Sequence, residues 1–128
     1  MISGLYAAIA GLFLVYLSVR VITQRRRKRI SVGPAGDAEM ERAMRVQGNF
    51  TEYAPIALLL LMIAELNGLA GLALHALGAT LIAARFIHFL GFRSAEAPGM
   101  FRVLGMALTF TVIALLGIII IYQYAAGA

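Results

Sequence analysis

Long apolar segments separated by short polar ones are the feature of this sequence that most restricts its fold. The segments lie at about residues 2–22, 39–66, 69–92 and 99–124, and each can supply the roughly 20 residues that a membrane-spanning helix needs. Apolar residues make up 62% of the chain and charged residues only 13%, an excess that so small a core cannot enclose. The sequence therefore predicts one domain, residues 1–128, folded as an all-α bundle of four transmembrane helices.

The second segment is unusual, because its mainly apolar part, residues 53–66, is short for a membrane span and includes Glu65. The helix is therefore expected to begin near Glu39, with Asp37 as its N-cap, and to carry polar side chains into or close to the membrane. The first helix is expected to end near Ile22. The basic run of residues 25–29 would then belong to the polar loop that follows.

The basic residues are confined to one side of the predicted membrane or to the helix ends beside it. All 11 are found there: Arg20, Arg25, Arg26, Arg27, Lys28, Arg29, Arg42, Arg45, Arg85, Arg93 and Arg102. Because cytoplasmic loops carry an excess of basic residues, both basic loops are expected in the cytoplasm and both termini outside. The basic run also predicts contact with anionic membrane lipids, whereas no accompanying basic fold supports nucleic-acid binding.

Four polar side chains of the second helix fall on one face. Glu41, Arg45, Asn49 and Glu52 lie within about 80° of one another on a helix that turns about 100° per residue. An ion pair between residues four apart would explain part of this polar stripe. Polarity at membrane depth is costly, however, and marks a functional site. Such a site suits a small anion with a free amine, since carboxylates pair with arginine and an amine with glutamate.

The third helix adds charged and aromatic groups at the same end. Arg85, His88 and Phe92 share a face by their spacing, and Arg85 is expected to pair with Glu52. His88 is equally compatible with a structural histidine. His75 lies in the other half of the helix, away from every other polar group, and is expected to be structural. The fourth helix is nearly featureless apart from an arginine near its start.

Two classes of function are disfavoured by what the chain lacks. It contains no cysteine, which excludes thiolate metal sites and cysteine nucleophiles, and no metal site is expected. A small four-helix multidrug exporter is the alternative from another class, but such exporters depend on a carboxylate within their first helix. Residues 2–22 contain no acid, so this alternative is a weak one.

The stretch from Glu41 to Pro55 resembles the MAPEG family, the membrane-associated proteins in eicosanoid and glutathione metabolism. It has the pattern E-R-x-x-R-x-x-x-N-x-x-E-x-x-P. The sequence Arg-Phe-Ile-His at residues 85–88, followed by Gly-Phe at 91–92, and an arginine early in the fourth helix agree in order and spacing. The resemblance covers essentially the whole chain, and the short loops are more similar to those of bacterial members.

The resemblance implies a homotrimer of four-helix protomers. Together with the one-sided basic residues, it predicts a multi-pass protein of a bacterial inner membrane with both termini periplasmic. Glutathione would bind between neighbouring protomers near the cytoplasmic face. The implied activity is that of a glutathione S-transferase or peroxidase acting on lipophilic electrophiles or hydroperoxides; the alternative is a glutathione-binding or scaffold protein without turnover. Carried over by position, the implied glutathione-binding residues are Arg26, Arg45, Gln47, Asn49, Glu52, Tyr53, Arg85 and His88.

The same resemblance implies that Arg102 is the catalytic residue, an arginine that stabilises the glutathione thiolate. The short loop before the fourth helix leaves Met100 as an alternative for this position. The family often has tyrosine where this chain has His88 and Phe92. Because Phe92 cannot donate a hydrogen bond, one contact with the ligand is expected to be lost.

Overall fold

The computed structural model describes residues 1–127, so only the last residue of the predicted domain lies outside it. Four helices follow one another along the chain: α1 (Ile2–Lys28), α2 (Ala38–Leu66), α3 (Gly71–Leu90) and α4 (Gly99–Ala125). Each is long and apolar enough to cross a membrane, and no strand occurs in the described residues. The predicted all-α bundle of four transmembrane helices is therefore confirmed.

The helices are arranged with α2 and α3 in the middle of the bundle. Both middle helices contact α1 and α4, whereas α1 and α4 do not touch each other within residues 1–127. Apolar side chains from the helices form the core, including Leu61 of α2, Leu81 of α3 and Leu116 of α4. Outward-facing side chains are also apolar, with Leu12 75% exposed and Ile121 70% exposed. Lipid is the solvent that suits such a surface.

Helix α1 extends beyond the predicted end near Ile22 and includes most of the basic run. Straight-chain residues such as arginine, lysine and glutamine lose little rotamer freedom in a helix, and basic side chains suit its C-terminal turn. The helix ends at Lys28, and its C-cap residue Arg29 has a left-handed φ of 54°. The prediction that the basic run belongs to a loop is therefore wrong for all but its last residue.

The start of α2 is fixed by the N-cap that the sequence predicts. Asp37 accepts a hydrogen bond from the backbone N–H of Met40 at 2.7 Å, and Lys28 of α1 reaches the same carboxylate at 2.6 Å. The lysine also contacts Glu39 at 2.8 Å. The bond from Lys28, with that from Met40, lowers the pKa of the Asp37 carboxyl. This stabilisation is present at neutral pH and is lost as the pH falls through the lowered pKa.

Helices α3 and α4 pack closely because α4 has a glycine where they cross. A Cβ atom at Gly105 would lie 2.6 Å from the Cβ of His88 and 2.7 Å from the carbonyl oxygen of Ala84. No larger residue fits without displacing α4 from α3. The predicted range of α3, about residues 69–92, is slightly too long, because its helix begins at Gly71 and ends at Leu90.

The end of the bundle without basic residues carries polar side chains that cap helices. The Glu65 carboxylate of α2 accepts hydrogen bonds from the first N–H groups of α1, at Ile2 (2.5 Å) and Ser3 (2.8 Å). At the same end of the bundle, Gln123 of α4 donates to the carbonyl oxygens of Ala64 and Asn67 at 3.4 and 3.3 Å. The bonds to Ile2, Ser3 and Asn67 satisfy backbone groups that helix ends leave unpaired.

His75 is also engaged at this end. Its Nδ1 lies 3.0 Å from the hydroxyl oxygen of Tyr6, which donates to the His75 carbonyl oxygen at 3.1 Å. The prediction that His75 is remote from other polar groups is wrong. The sequence does not show that α1 passes beside α3 here, where the two helices bring residues 69 positions apart into contact.

Candidate functional site

The polar stripe of α2 opens into one cleft, the α2 cleft, at the end of the bundle that carries the basic residues. Its volume is about 450 Å³, within the usual range of small-molecule sites, roughly 300–1,000 Å³. All four predicted stripe residues line the cleft together with two side chains from the end of α3 and the turn after it. The lining residues are Pro34, Glu41, Met44, Arg45, Gly48, Asn49, Glu52, His88 and Phe92. The structure thus joins α2 and α3 in one site.

Arg45 and Glu41 form an ion pair at the outer edge of the cleft. The Nε and Nη2 atoms of Arg45 lie 3.1 and 3.0 Å from Oε1 of Glu41. Both side chains are at least half exposed, so the pair contributes little to stability, on the order of 0.5 kcal/mol. Neither bond uses Nη1 of Arg45, which remains available to a carboxylate entering the cleft.

Arg85 lies beneath this cleft and is buried in the bundle, with 1% of its surface exposed. Its Nη2 atom donates to the side-chain oxygen of Asn49, and its Nη1 atom donates to the hydroxyl of Thr109 at 3.2 Å. The sulfur of Met106 lies 3.7 Å from Nη1, and Nδ1 of His88 lies 3.4 Å from Nη2. The guanidinium group is therefore surrounded by neutral hydrogen-bond partners from three helices.

The expected pair between Arg85 and Glu52 is wrong. Glu52 is exposed, and Arg85 forms no ion pair within residues 1–127. Asn49 occupies the inner edge of the stripe and reaches the guanidinium, whereas Glu52, three residues later, projects from the protomer surface. A buried cation with only neutral partners is costly, so its charge remains available to attract an anion in the cleft.

His88 and Phe92 connect the cleft to Arg102 of α4. The rings of His88 and Phe92 are 5.1 Å apart between centroids, and the Arg102 guanidinium carbon lies 4.8 Å above the Phe92 ring. Arg102 itself does not line the cleft. It borders a separate apolar groove along α4 with residues such as Phe110, and its Nε atom is buried without a partner in the described chain.

Three predicted site residues lie on other sides of the protomer. Gln47 points toward α1, where it donates to the hydroxyl of Ser18 at 3.0 Å. Tyr53 faces α4, with its ring 5.3 Å from that of Phe110. Arg26 lies on the exposed basic surface of α1, away from the cleft. A single protomer therefore brings together Arg45, Asn49, Glu52, Arg85 and His88, and leaves these three and Arg102 outside the cleft.

Sequence reasoning missed the residues of α4 that support the site. Thr109 is fully buried, accepts the bond from Arg85 and donates to the carbonyl oxygen of Gly105 at 2.8 Å. Met106 adds its sulfur beside the same guanidinium. A signal was available, since a threonine four residues after a glycine in an apolar helix marks a close crossing with a polar contact.

Comparisons with known proteins agree with this architecture. The model of the MAPEG family matches residues 3–122 of the chain. The chain is also 38% identical over 92 residues to the "Inner membrane protein YecN" of Escherichia coli K12, an alignment that covers 72% of this chain and 70% of that protein. The YecN protein of E. coli O6:H1 matches with the same identity and coverage. This chain, a multi-pass membrane protein, belongs to the MAPEG family.

Proposed function

We propose that the protein is a glutathione-dependent transferase or peroxidase that acts on lipophilic electrophiles or hydroperoxides. The observation that carries the proposal is the cleft at the basic end, where Arg45 and Glu52 face one space above the buried charge of Arg85. Membership in the MAPEG family supports glutathione as the ligand. The bilayer would deliver the apolar substrate to a site at this depth.

The chemistry of the cleft fits a tripeptide with two carboxylates and one amine. Arg45 keeps one guanidinium nitrogen free for a carboxylate, and Glu52 offers a carboxylate to the amine. Asn49 and His88 also line the cleft. Both contact the buried Arg85, whose positive charge attracts an anion. Charges of both signs within about 450 Å³ match a zwitterionic peptide better than a simple anion.

A homotrimer is part of this proposal. Along α2, exposed residues recur at intervals of three and four from the cleft to the far end: Glu52, Pro55, Leu59, Met62 and Leu66. Contact between copies along this face would shield the charged stripe from lipid, where polar groups are costly. Arg26 and Gln47, which lie outside their own protomer's cleft, could then contribute to that of a neighbour. Native mass spectrometry in mild detergent should give trimers; only monomers or dimers would contradict the assembly.

Bound glutathione would supply its thiol as nucleophile or reductant. The protein would contribute position and positive charge, because a nearby cation favours the thiolate over the thiol. Arg102 is the proposed source of this charge, near the N-terminus of α4, where the helix dipole is also positive. Its contact with Phe92 places it behind one wall of the cleft.

The second candidate is a glutathione-binding or scaffold protein without turnover. Two observations favour it. Phe92 presents a ring without a hydroxyl to the cleft, and Arg102 borders a different groove. In this case the cleft would bind the tripeptide while the thiol stays protonated.

Calorimetry with glutathione on the purified full chain tests the proposal first. Binding to the wild type and to Arg93→Ala, a control at an exposed basic residue, should be equal, whereas Arg45→Ala should bind more weakly. Electrophiles and hydroperoxides should then be tested for turnover. Absence of binding would refute both candidates, and binding without any turnover or thiolate absorbance would favour the scaffold.

We also propose that the protein lies in the inner membrane with both termini in the periplasm. The similar E. coli protein is named for that membrane, and the basic residues are on one side of the bundle. A C-terminal alkaline phosphatase fusion should be active. A C-terminal green fluorescent protein that folds in the cytoplasm and fluoresces would contradict this orientation.

A further inference from the structure

Helix α1 borders two further cavities, which the proposed glutathione site does not use. One row of α1 residues, spaced alternately by three and four, borders both: Tyr6, Ile9, Phe13, Tyr16, Arg20 and Thr23. The first three line an apolar groove of about 520 Å³ whose other wall is α3. The last three line a smaller cleft of about 230 Å³ at the basic end.

A row of contacting aromatic side chains runs from one cavity to the other, and the two cavities with these rings are called the α1–α3 track. Tyr16 lines the small cleft, and its ring stacks on Phe13 of the groove with centroids 6.1 Å apart. Phe89 of α3 lies 5.8 Å from Tyr16 and 5.9 Å from Phe86, which lines the groove. The guanidinium carbon of Arg20 lies 5.0 Å above the Phe89 ring and closes the track at its basic end.

At the polar end of the track, one hydrogen-bond donor and one hydrogen-bond acceptor lack a partner. Nη1 of Arg20 and Oε1 of Gln24 are both buried without a hydrogen-bond partner in residues 1–127. The amide nitrogen of Gln24 donates to Glu39 at 2.7 Å, so its oxygen must remain the acceptor that lacks a donor. Arg20 forms no ion pair within the same residues. Such groups are costly unless a further molecule pairs with them.

The track runs inward from headgroup depth on the basic side. Arg20 lies seven residues after Phe13, a rise of about 10 Å along the helix, whereas Tyr6 lies at the opposite end of the groove, near the start of α1. Half of a bilayer, headgroups included, is about 20–22 Å thick. The charged end therefore falls at headgroup level and the apolar groove in the hydrocarbon layer.

We propose that the α1–α3 track binds one phospholipid of the leaflet on the basic side. Its phosphate would accept hydrogen bonds from Arg20 and Thr23, since guanidinium and phosphate match in charge and geometry. A donor in the headgroup, such as the ammonium of ethanolamine or a hydroxyl of glycerol, would bind the oxygen of Gln24. One acyl chain would fill the groove beside Ala79 and Ala83, whose small side chains leave the space.

The test measures lipid binding to the delipidated full chain by native mass spectrometry. Phosphatidylglycerol is compared with diacylglycerol of the same chains, with inorganic phosphate and with phosphatidylcholine. Only phosphatidylglycerol carries chains, phosphate and a headgroup donor together, so it should bind most tightly. Phosphatidylcholine should bind more weakly, and the two partial probes least.

Two variants test the two ends of the track. Arg20→Gln should weaken phosphatidylglycerol binding by about tenfold or more, and Arg93→Gln, an exposed basic residue elsewhere on the same side, should not. Ala83→Leu should fill the groove and weaken binding without changing charge. Ala114→Leu, an exposed alanine on α4, is its matched control.

Equal binding of diacylglycerol and phosphatidylglycerol would overturn the phosphate assignment, as would wild-type affinity in Arg20→Gln. If Arg20→Gln does not fold, Arg20→Lys replaces it: the charge is kept and the two-pronged geometry is lost, so affinity should still fall. Wild-type affinity in both Arg20→Lys and Ala83→Leu would overturn the proposal. Glutathione binding should be unchanged in Ala83→Leu, which keeps this test separate from the α2 cleft.

Discussion

The two ends of the bundle both contain polar side chains, yet they satisfy them differently. At the end without basic residues, Glu65 caps the start of α1, Gln123 caps the end of α2, and Tyr6 contacts His75. At the basic end, buried polar atoms lack partners among the described residues. They are Nη1 of Arg20, Oε1 of Gln24, Nε of Arg85 and Nε of Arg102.

This difference distinguishes polar groups that stabilise the fold from polar groups that we expect to bind a ligand. A polar group in a membrane protein must find a partner, and the far end supplies these partners from its own helices. The basic end supplies only some of them, and it contains both the α2 cleft and the polar end of the α1–α3 track. We expect substitutions at the end without basic residues to affect stability and those at the basic end to affect binding. The exception is a basic-end group that contacts a buried charge, which should affect stability as well.

Asn49→Leu should have the largest effect on stability and tests that exception. It removes the side-chain oxygen that accepts from Arg85, leaving a buried guanidinium short of a partner. The free energy of unfolding should fall by about 2–3 kcal/mol, the usual cost of losing a hydrogen bond to a charged group. Titration with SDS in mixed micelles measures it. Thr51→Leu, exposed on the same helix, is the control, and equal stability of the two variants would contradict the role of Asn49.

Arg102→Ala should lower turnover at neutral pH by about 10- to 100-fold, because charge-assisted bonds to a thiolate contribute about 1.5–3 kcal/mol each. Glutathione affinity should change far less. The ultraviolet absorbance of bound thiolate should also fall, while Arg93→Ala keeps both signals. Full activity in Arg102→Ala, together with loss of activity in Met100 variants, would move the catalytic assignment to Met100.

Glu65→Gln sharpens the comparison at the far end. The amide is a weaker acceptor than the carboxylate that caps α1, so stability should fall, as when other N-caps are lost, but by less than in Asn49→Leu. Glutathione affinity, measured by calorimetry, should stay unchanged. Glu96→Gln, in the exposed loop before α4, is the control for a lost carboxylate. A weaker affinity in Glu65→Gln would break the separation between the two ends.

Glu52→Gln makes the same change as Glu65→Gln at the basic end of α2, and it should have the smallest effect on stability. Glu52 is exposed in the protomer and forms no bond to Arg85, so the free energy of unfolding should stay within about 0.5 kcal/mol. Glutathione affinity should fall by about tenfold through the lost contact with the amine. A loss of stability as large as that of Asn49→Leu would show that Glu52 is paired within the assembly.

Much of the fold could be predicted from the sequence, because in lipid the length of an apolar segment nearly fixes its structure. The four helices, the N-cap Asp37 and the cleft face of α2 were all predicted correctly. The end of α1 was not predicted correctly, because a run of charged residues is typical of a loop, although arginine and lysine are good helix formers. Lys28 then holds that last turn against α2.

Periodicity gives the direction of a side chain around its own helix, but not the neighbour that it meets. The stripe of α2 was therefore predicted, whereas its division between Asn49, which binds Arg85, and the exposed Glu52 was not. The same reason hid Thr109, which meets Arg85 only because Gly105 lets α4 approach α3. The sequence by itself determined a four-span membrane bundle with its basic residues on one side and a polar face on α2. Only the packing of helices from distant parts of the chain decided which polar groups are satisfied and which lack a partner.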